Sequence, residues 1–460
     1  MKSSADAGHP HEKPHHPHWP LAASLALFVF VLGLLSVHDS ATWIHVKTGA
    51  KIIAEGALPK VDPFSYGSAG SRWTTYSWLS DVLFAKLESF GGPRALVLLK
   101  SAIVGVAFAA LLPISSGGPL LAAFVLSAGA VAAWAGLTET PAVFDLLFFS
   151  LFLRFLRPRH HFRWRDAAWA AGLTIAWVNL HGDSAVLALV FVALKAFKTS
   201  MRASIWERMG YWMMLVIVLI VFAWNPHGYR VLLSTFVDSE SAAWRGSLLS
   251  PAGVFLVAGM ASCWFTLQNE FVVTLMSASV LALSVTLPGL RPLGVLAACP
   301  VIALAVGHAI SPLEETPKRI ALWGAFSAVL LGLYLQFVTK SLSRRDGYGV
   351  FNLSGALRFL DDNRVAGRMF NEPVLGAELI GLTTRPVFCD RREALYTQAF
   401  RRDAENWGRM FHVLDAIYHF NYAIVSNRRS PDETRALDED PEWTRAYSDE
   451  RALVYLKRAR

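Results

Sequence analysis

Long apolar runs recur along most of this chain, and they constrain its fold more than any other feature. Hydrophobic residues make up 54% of the chain and charged residues only 17%, which is more apolar surface than a soluble core of this size can hide. Most of the runs are long enough, or nearly so, to cross the ~30 Å hydrocarbon layer of a bilayer as a helix. They fall at residues 21–37, 95–113, 119–137, 143–156, 167–181, 184–197, 211–225, 251–267, 271–288, 293–310 and 320–338. The sequence therefore predicts an α-helical polytopic membrane protein with about eleven transmembrane helices.

The basic residues predict an orientation rather than a nucleic-acid partner. The net charge is +8, but Lys and Arg concentrate in short loops such as 157–165 and 195–208. Short basic loops stay on the cytoplasmic side of a membrane, and both of these follow an even number of predicted spans. We therefore expect a multi-pass protein of the cytoplasmic (inner) membrane with a cytoplasmic N-terminus. We expect no nucleic acid among its partners.

Composition divides the chain into three regions. Residues 1–20 are rich in His and Pro and are predicted to be a disordered cytoplasmic tail. Residues 21–339 form the predicted transmembrane domain, in which 38–92 are the first external loop. From 340 to 460 the apolar stretches shorten to strand length and alternate with helical patterns, which predicts an extracytoplasmic α/β domain on the periplasmic or extracellular side. The predicted strands are RMFNE (368–372), RPVFCD (385–390), NYAIVSN (421–427), TRAYSD (444–449) and ALVYLKR (452–458).

The first external loop carries the main candidate for chemistry, Asp39. A carboxylate just outside the first span can be partly desolvated and still reach a reacting group at the bilayer surface, as a general base must. An Asp at this place can equally cap the helix that begins at Ala41, and spacing alone does not separate the two interpretations. His45 follows by about two turns, so its side chain can face the same cavity as that of Asp39.

Other polar residues on the same predicted side are candidates for substrate binding, each with a plainer alternative. Lys47 and Arg72 offer positive charge for a phosphate, although solvated loop cations are commoner. Asp62, next to Pro63, is better explained as part of a turn. Acids at the ends of apolar runs need a partner or water, and polar turns after such runs either line a cavity or cap helices. These acids and turn residues are Glu139, Asp145, Asn179, His181, Asp183, Asn225 and His227.

Metal-binding spacing is absent from the sequence, so we predict that no cofactor is required. A divalent ion held by His181, His227 and Asp39 is possible but is not required by anything in the pattern. No glycine-rich phosphate loop or nucleophile elbow lies in a usable context either.

One stretch of the first external loop has a pattern known from enzymes. Asp39 follows the first span, Gly56 and Pro59 form a turn, Tyr76-Ser77-Trp78-Leu79 leads into a second helix, and that helix ends at Gly91-Gly92. In this order of features the loop resembles that of the C-type (GT-C fold) membrane glycosyltransferases. The segments WVNLHGD, AWNPHG and VFCDRREALY (387–396) are similar to segments of a bacterial branch of that superfamily that has no assigned substrate.

The resemblance implies a function and a set of site residues. It implies an integral membrane glycosyltransferase that transfers a sugar from a polyprenyl-phosphate lipid to a glycan, lipid or protein acceptor on the outer face of the cytoplasmic membrane. Asp39 would be the catalytic residue, and the matching segments add Trp78, Asp390 and Arg391 to the predicted substrate-binding residues.

Two departures from the family pattern favour an alternative function. Glu139-Thr140-Pro141 replaces an expected Arg-Pro, which removes a phosphate-binding cation, and Tyr76-Ser77 replaces the His-Glu that supplies a second acid in many relatives. The alternative is a non-catalytic membrane scaffold, or a carrier of lipid-linked glycans, that retains the same fold.

Overall fold

A computed structural model of the protein describes residues 19–34, 39–114, 118–157, 162–234, 250–310, 353–392, 395–427 and 431–458. The eleventh apolar run, 320–338, lies outside these ranges. The predicted tail lies outside them too, except for its last two residues, Trp19 and Pro20, which begin the first helix. Both predictions therefore stay predictions.

The N-terminal two thirds of the chain is helical. Its helices are α1 (Trp19–Leu34), α2 (Ala41–Glu55), α3 (Trp78–Leu111), α4 (Pro119–Ala133), α5 (Val143–Leu156), α6 (Trp164–Leu180), α7 (Val186–Arg202), α8 (Ile205–Phe222), α9 (Val231–Ser234), α10 (Pro251–Thr266), α11 (Phe271–Thr286) and α12 (Arg291–Ile310). Short 3₁₀ turns lie at Leu112–Ile114, Trp134–Gly136, Gly182–Ser184, Gly228–Arg230 and Pro288–Leu290. Each of the first ten apolar runs thus forms a helix over most of its length.

Some of these helices have the length and composition of membrane spans. Within the described residues, 5 helical stretches are long and apolar enough: Trp78–Ile114, Pro119–Gly136, Gly182–Met201, Ile205–Phe222 and Arg291–Ala309. Helices α1, α10 and α11 are apolar but shorter. The structure thus contains helices suited to a membrane, while a total of about eleven spans stays a prediction.

Helix α3 is bent where the external loop enters the apolar bundle. Gly92 has φ of 63°, a left-handed conformation that glycine adopts without steric cost, and Pro93 follows it. The bend separates a polar segment, 78–91, from an apolar segment. Helix α2 packs on the polar segment so closely that Gly49 touches the backbone oxygen of Asp81. This crossing brings the face of α2 that carries His45 onto α3, because residues four apart share one helix face.

The C-terminal region contains a small mixed sheet covered by helices. Strands β1 (Met369–Asn371), β2 (Tyr422–Ser426), β3 (Trp443–Ser448) and β4 (Ala452–Lys457) pair in the order β1-β2-β4-β3. The β1–β2 pair is parallel, whereas β4 is antiparallel to both of its neighbours. The helices of this region are α13 (Ser354–Asp362), α14 (Pro373–Leu382), α15 (Gln398–Glu405), α16 (Trp407–Tyr418) and α17 (Pro431–Asp438).

Four of the five predicted strands are confirmed, and the one predicted over 385–390 is wrong. In that segment only Val387 makes a bridge, and its partner is Ser65 of the first external loop rather than a strand of the sheet. The backbone groups of 387–388 bond to those of Phe64, Tyr66 and Gly67, so the loop satisfies the hydrogen bonds that a sheet neighbour would otherwise make. The loop is therefore built into the C-terminal domain.

Candidate functional site

Asp39 lies between α1 and α2, beyond the apolar end of α1, and it is half-buried. Its Oδ1 accepts the N–H of Ala41 at 3.0 Å. Burial raises the pKa of Asp39 above its ordinary value, while the Ala41 hydrogen bond, His45 and Arg391 lower it by smaller amounts. The side chain of Asp39 therefore bonds the first residue of α2 and is partly desolvated, and its role as a base stays a prediction.

His45 is held by an acid from α3. Its Nδ1–H donates to Oδ1 of Asp81 at 2.7 Å, and the hydroxyl of Thr75 donates to Oδ2 of the same carboxylate at 2.5 Å. Asp81 has no exposed surface, so both of its oxygens depend on these partners. The close crossing of α2 over α3 makes this arrangement possible, and it fixes the plane of the imidazole ring.

His227 joins the same end of the bundle through the backbone of Thr75. Its Nε2 lies 2.9 Å from the carbonyl oxygen of Thr75. A carbonyl only accepts, so Nε2 carries the proton. Burial lowers the pKa of His227, which favours its neutral ring. The imidazole ring also lies edge-on to the ring of Tyr76, with the two ring centroids 5.1 Å apart.

We call Asp39, His45, Thr75, Asp81, His227 and Arg391 the outer polar cluster, after the side of the membrane on which the sequence predicts them to lie. Its members come from the start of α2, the body of α2, the loop before α3, α3 itself, the turn after α8 and the C-terminal domain. Arg391 is exposed and near enough to Asp39 to act on its charge. The cluster places a carboxylate suited to accept a proton next to a cation suited to hold an anion.

A second group of polar residues surrounds Asp145, which is 1% exposed near the start of α5. Trp177 donates its indole N–H to Oδ1 at 2.9 Å, His181 approaches through Nδ1 at 2.8 Å, and the Ser184 hydroxyl also donates to Oδ1. Asp145 is therefore satisfied by groups on α6 and on the turn after it, as a buried acid must be. Asp183 lies beside this group, with Oδ2 3.8 Å from Nε2 of His181.

Two of the predicted substrate-binding residues, Trp78 and Asn179, are in direct contact. The indole N–H of Trp78 donates to Oδ1 of Asn179 at 2.9 Å, and the amide of Asn179 donates to the backbone oxygen of Trp224 at 3.0 Å. Asn225 instead closes its own turn, since its Oδ1 accepts the N–H of His227 and its amide reaches the oxygen of Gly228.

Glu139 is held in an ion pair in the interior of the bundle. Its Oε1 lies 2.6 Å from Nζ of Lys100, and the two side chains are 3% and 2% exposed. The hydroxyl of Thr42 donates to the backbone oxygen of Glu139 at 2.8 Å, which ties this residue to α2. Glu139 therefore has a buried structural partner, and its backbone contacts α2 at Thr42, one turn from Asp39 and from His45.

Asp62 and Asp390 share one buried guanidinium and do not face a cavity with Asp39. Arg392 donates to Oδ1 of Asp62 at 2.8 Å and to Oδ2 of Asp390 at 2.6 Å. Arg72 is exposed and pairs by its backbone with Val61. Lys47 is half-buried on α2, two residues from His45, and so points to nearly the opposite side of the helix.

Sequence reasoning missed the partners of these acids. Lys100 carried a usable signal, because a lysine inside an apolar run requires a counter-charge. The pairing of Arg392 with Asp62 gave no such signal, because the two are 330 residues apart and only the folded chain brings them together. No group of three or more His, Cys, Asp or Glu suited to a metal ion occurs among the described residues.

Neither a family model nor a curated protein matches this chain. Its function is therefore inferred from the arrangement of its own residues.

Proposed function

We propose that the protein is an integral membrane glycosyltransferase that uses a polyprenyl-phosphate-linked sugar. The acceptor would be a glycan, a lipid or a protein on the outer face of the cytoplasmic membrane. The observation that supports this function is the environment of Asp39, a carboxylate partly removed from water at the outer end of α1 with Arg391 nearby. A base whose pKa is raised toward the working pH binds a proton more strongly in the transition state than an ordinary aspartate does.

The proposed reaction is a displacement with inversion at the anomeric carbon. Asp39 removes the proton from the acceptor hydroxyl while the acceptor oxygen forms a bond to that carbon. The bond between the carbon and the phosphate oxygen breaks, and polyprenyl phosphate leaves with the electron pair. Arg391, on the exposed surface beside Asp39, is placed to offset the negative charge that develops on the phosphate.

The proposed roles of the other cluster residues are positional. Asp81 fixes the ring of His45, so that a hydrogen bond from His45 to substrate requires no reorientation during the reaction. The neutral His227 fixes the 75–76 backbone on which Tyr76 and Trp78 are carried. Aromatic side chains at this place suit a sugar ring or the first isoprene units of the lipid.

The test is consumption of polyprenyl-phosphate sugars by the purified full chain in nanodiscs. Wild-type protein is compared with the Asp39→Asn variant over a panel of lipid-linked sugars. Turnover by wild type, lowered about 10²–10⁴-fold in the variant, supports the proposal, since this is the usual contribution of a general base. Equal turnover by both proteins would rule out Asp39 as the base.

A second candidate is a non-catalytic scaffold or lipid-linked glycan carrier of the same architecture. The observation that favours it is the pairing of Glu139 with Lys100, which fills with an internal ion pair the position where the resembling family carries a phosphate-binding arginine. A scaffold would bind the lipid-linked sugar without consuming it. Asp39→Asn would then leave its binding unchanged.

A further inference from the structure

A cleft of about 350 Å³ opens between α5 and α6, at the end of the bundle where α5 finishes and α6 begins. This is the end opposite to the outer polar cluster, because α6 ends beside the 75–76 backbone, where the N–H of Gly182 donates to the oxygen of Tyr76. The lining divides into two zones. Arg154 and Arg165 lie at the mouth with Phe155 beside them, and the apolar side chains Leu151 and Leu173 continue along the two helices away from it.

The two arginines of the cleft are available to a ligand. Arg154 lies in the last turn of α5 and Arg165 in the first turn of α6, and both side chains are exposed. Within the described ranges, neither makes an ion pair. Asp166 also lines the cleft, but it is 3% exposed and accepts the backbone N–H of Arg163, so it belongs to the start of α6. The mouth therefore carries net positive charge.

The apolar zone distinguishes this cleft from a simple anion site. Leu173 lies eight residues beyond Arg165 on α6, which is about 12 Å along a helix. Leu151 and Phe155 face it from α5. Trp169 stands between the two zones with 63% of its surface exposed, and tryptophan favours the boundary between headgroups and acyl chains.

We infer that this cleft binds one anionic phospholipid of the leaflet that the basic loops face. The lipid phosphate lies between Arg154 and Arg165, Trp169 packs beside the glycerol region, and an acyl chain follows Leu151, Phe155 and Leu173. Two guanidinium groups select for negative charge, since each forms charge-assisted hydrogen bonds to phosphate oxygens. The apolar groove favours a lipid over a free phosphate, because its apolar surface is removed from water only when an acyl chain occupies it.

The test measures lipid binding to the full-length protein by native mass spectrometry from detergent. Phosphatidylglycerol and phosphatidylcholine of identical acyl chains are titrated against wild type and against the double variant Arg154→Gln/Arg165→Gln. Each arginine strengthens the binding of an anionic headgroup by electrostatic attraction. The loss of both should weaken phosphatidylglycerol binding by about thirty-fold. Phosphatidylcholine carries the same phosphodiester beside a choline cation, so it should bind wild type more weakly and lose less affinity in the double variant.

The matched control removes the same charge from the same end of the bundle. Lys198 near the end of α7 and Arg208 near the start of α8 lie outside the cleft, and the double variant Lys198→Gln/Arg208→Gln retains wild-type phosphatidylglycerol binding. An equal loss in this control would show non-specific attraction and overturn the inference. Unchanged binding in Arg154→Gln/Arg165→Gln, or displacement of the lipid by inorganic phosphate, would overturn it too.

Discussion

Asp39 differs from the buried acids Asp81 and Asp145 in what surrounds its carboxylate. Asp81 bonds to His45 and Thr75, and Asp145 bonds to Trp177, His181 and Ser184. Among the described residues, the carboxylate of Asp39 accepts only the N–H of Ala41. Acids with several donors are stabilised as anions and make poor bases. Asp39, whose charge is less well satisfied, is the better proton acceptor.

The pH dependence of transfer should report on Asp39. Its pKa is raised by burial above the ordinary value of 3.8. The rising limb of the pH profile of kcat/KM should therefore lie at a higher pH than an ordinary aspartate would give. Arg391 lowers this pKa, and Arg391→Gln should therefore move the limb to higher pH. The charge-retaining Arg391→Lys is the control and should leave the limb near its wild-type position. A limb unmoved in Arg391→Gln would show that another group titrates.

The Lys100–Glu139 pair should behave as a structural unit. Lys100→Met leaves a buried carboxylate without its counter-charge and should lower the free energy of unfolding by about 3–5 kcal/mol. The double variant Lys100→Met/Glu139→Gln removes both charges and should recover most of that loss. Thermal unfolding in nanodiscs compares the stability of wild type, Lys100→Met and the double variant. The double variant should also keep its transfer activity; if Glu139 bound substrate, activity would be lost although stability returned.

At the level of elements, the first external loop and the C-terminal domain are joined by a buried ionic group. The guanidinium of Arg392 bonds to both Asp62 and Asp390 and lies 4.7 Å from the ring centroid of Trp73. Asp62 also accepts from the backbone N–H and the hydroxyl of Ser65. Because Arg391 is the neighbour of Arg392, this group also fixes where the cation beside Asp39 can lie.

Arg392→Met should therefore loosen the loop from the domain. It leaves two buried carboxylates without their cation, at a cost of about 3–5 kcal/mol in the free energy of unfolding. Limited proteolysis should then cut the 56–73 segment faster than in wild type. Glu55→Gln, which breaks the exposed Lys51–Glu55 pair on α2, is the control and should change stability by about 0–1 kcal/mol. Equal effects of the two variants would show that the buried group does not hold the loop.

The elements themselves followed from local sequence patterns, and their contacts did not. The sequence predicted a helix from Ala41, where α2 begins, and it ended the second helix at Gly91-Gly92, where α3 bends and continues to Leu111. Asp62 and Arg392 are 330 residues apart in sequence, so no local pattern could pair them. The same limit explains the error over 385–390, whose apolar residues were assigned to the sheet while their bonding partners belong to the loop.

For the molecule as a whole, contact between the loop and the C-terminal domain places them on one side of the membrane. The bridge from Ser65 to Val387 and the ion pair from Asp62 to Arg392 both require this. An even number of crossings must therefore separate residues 92 and 353. The ten apolar runs after the first would give an even number if each of them spans the membrane, and this number stays a prediction.

Thiol labelling of single cysteines should locate that side. In a Cys263→Ser background, which leaves Cys299 and Cys389 buried, Glu55→Cys and Arg402→Cys should react with an impermeant maleimide added to intact cells. Arg163→Cys, at the basic end of α6, should react only after permeabilisation. Opposite reactivity of Glu55→Cys and Arg402→Cys would contradict the contact between loop and domain, and reversal of all three would invert the predicted orientation.

Single-turnover transfer measures whether Asp39 removes the acceptor proton. Because the pKa of Asp39 is raised in the folded state, its charged form weakens the fold at neutral pH. Asp39→Asn should therefore stay folded and unfold at the same or a higher temperature. This variant should still bind a polyprenyl-phosphate sugar in nanodiscs while its transfer step slows about 10²–10⁴-fold. Transfer at the wild-type rate by folded Asp39→Asn would rule out Asp39 as the base.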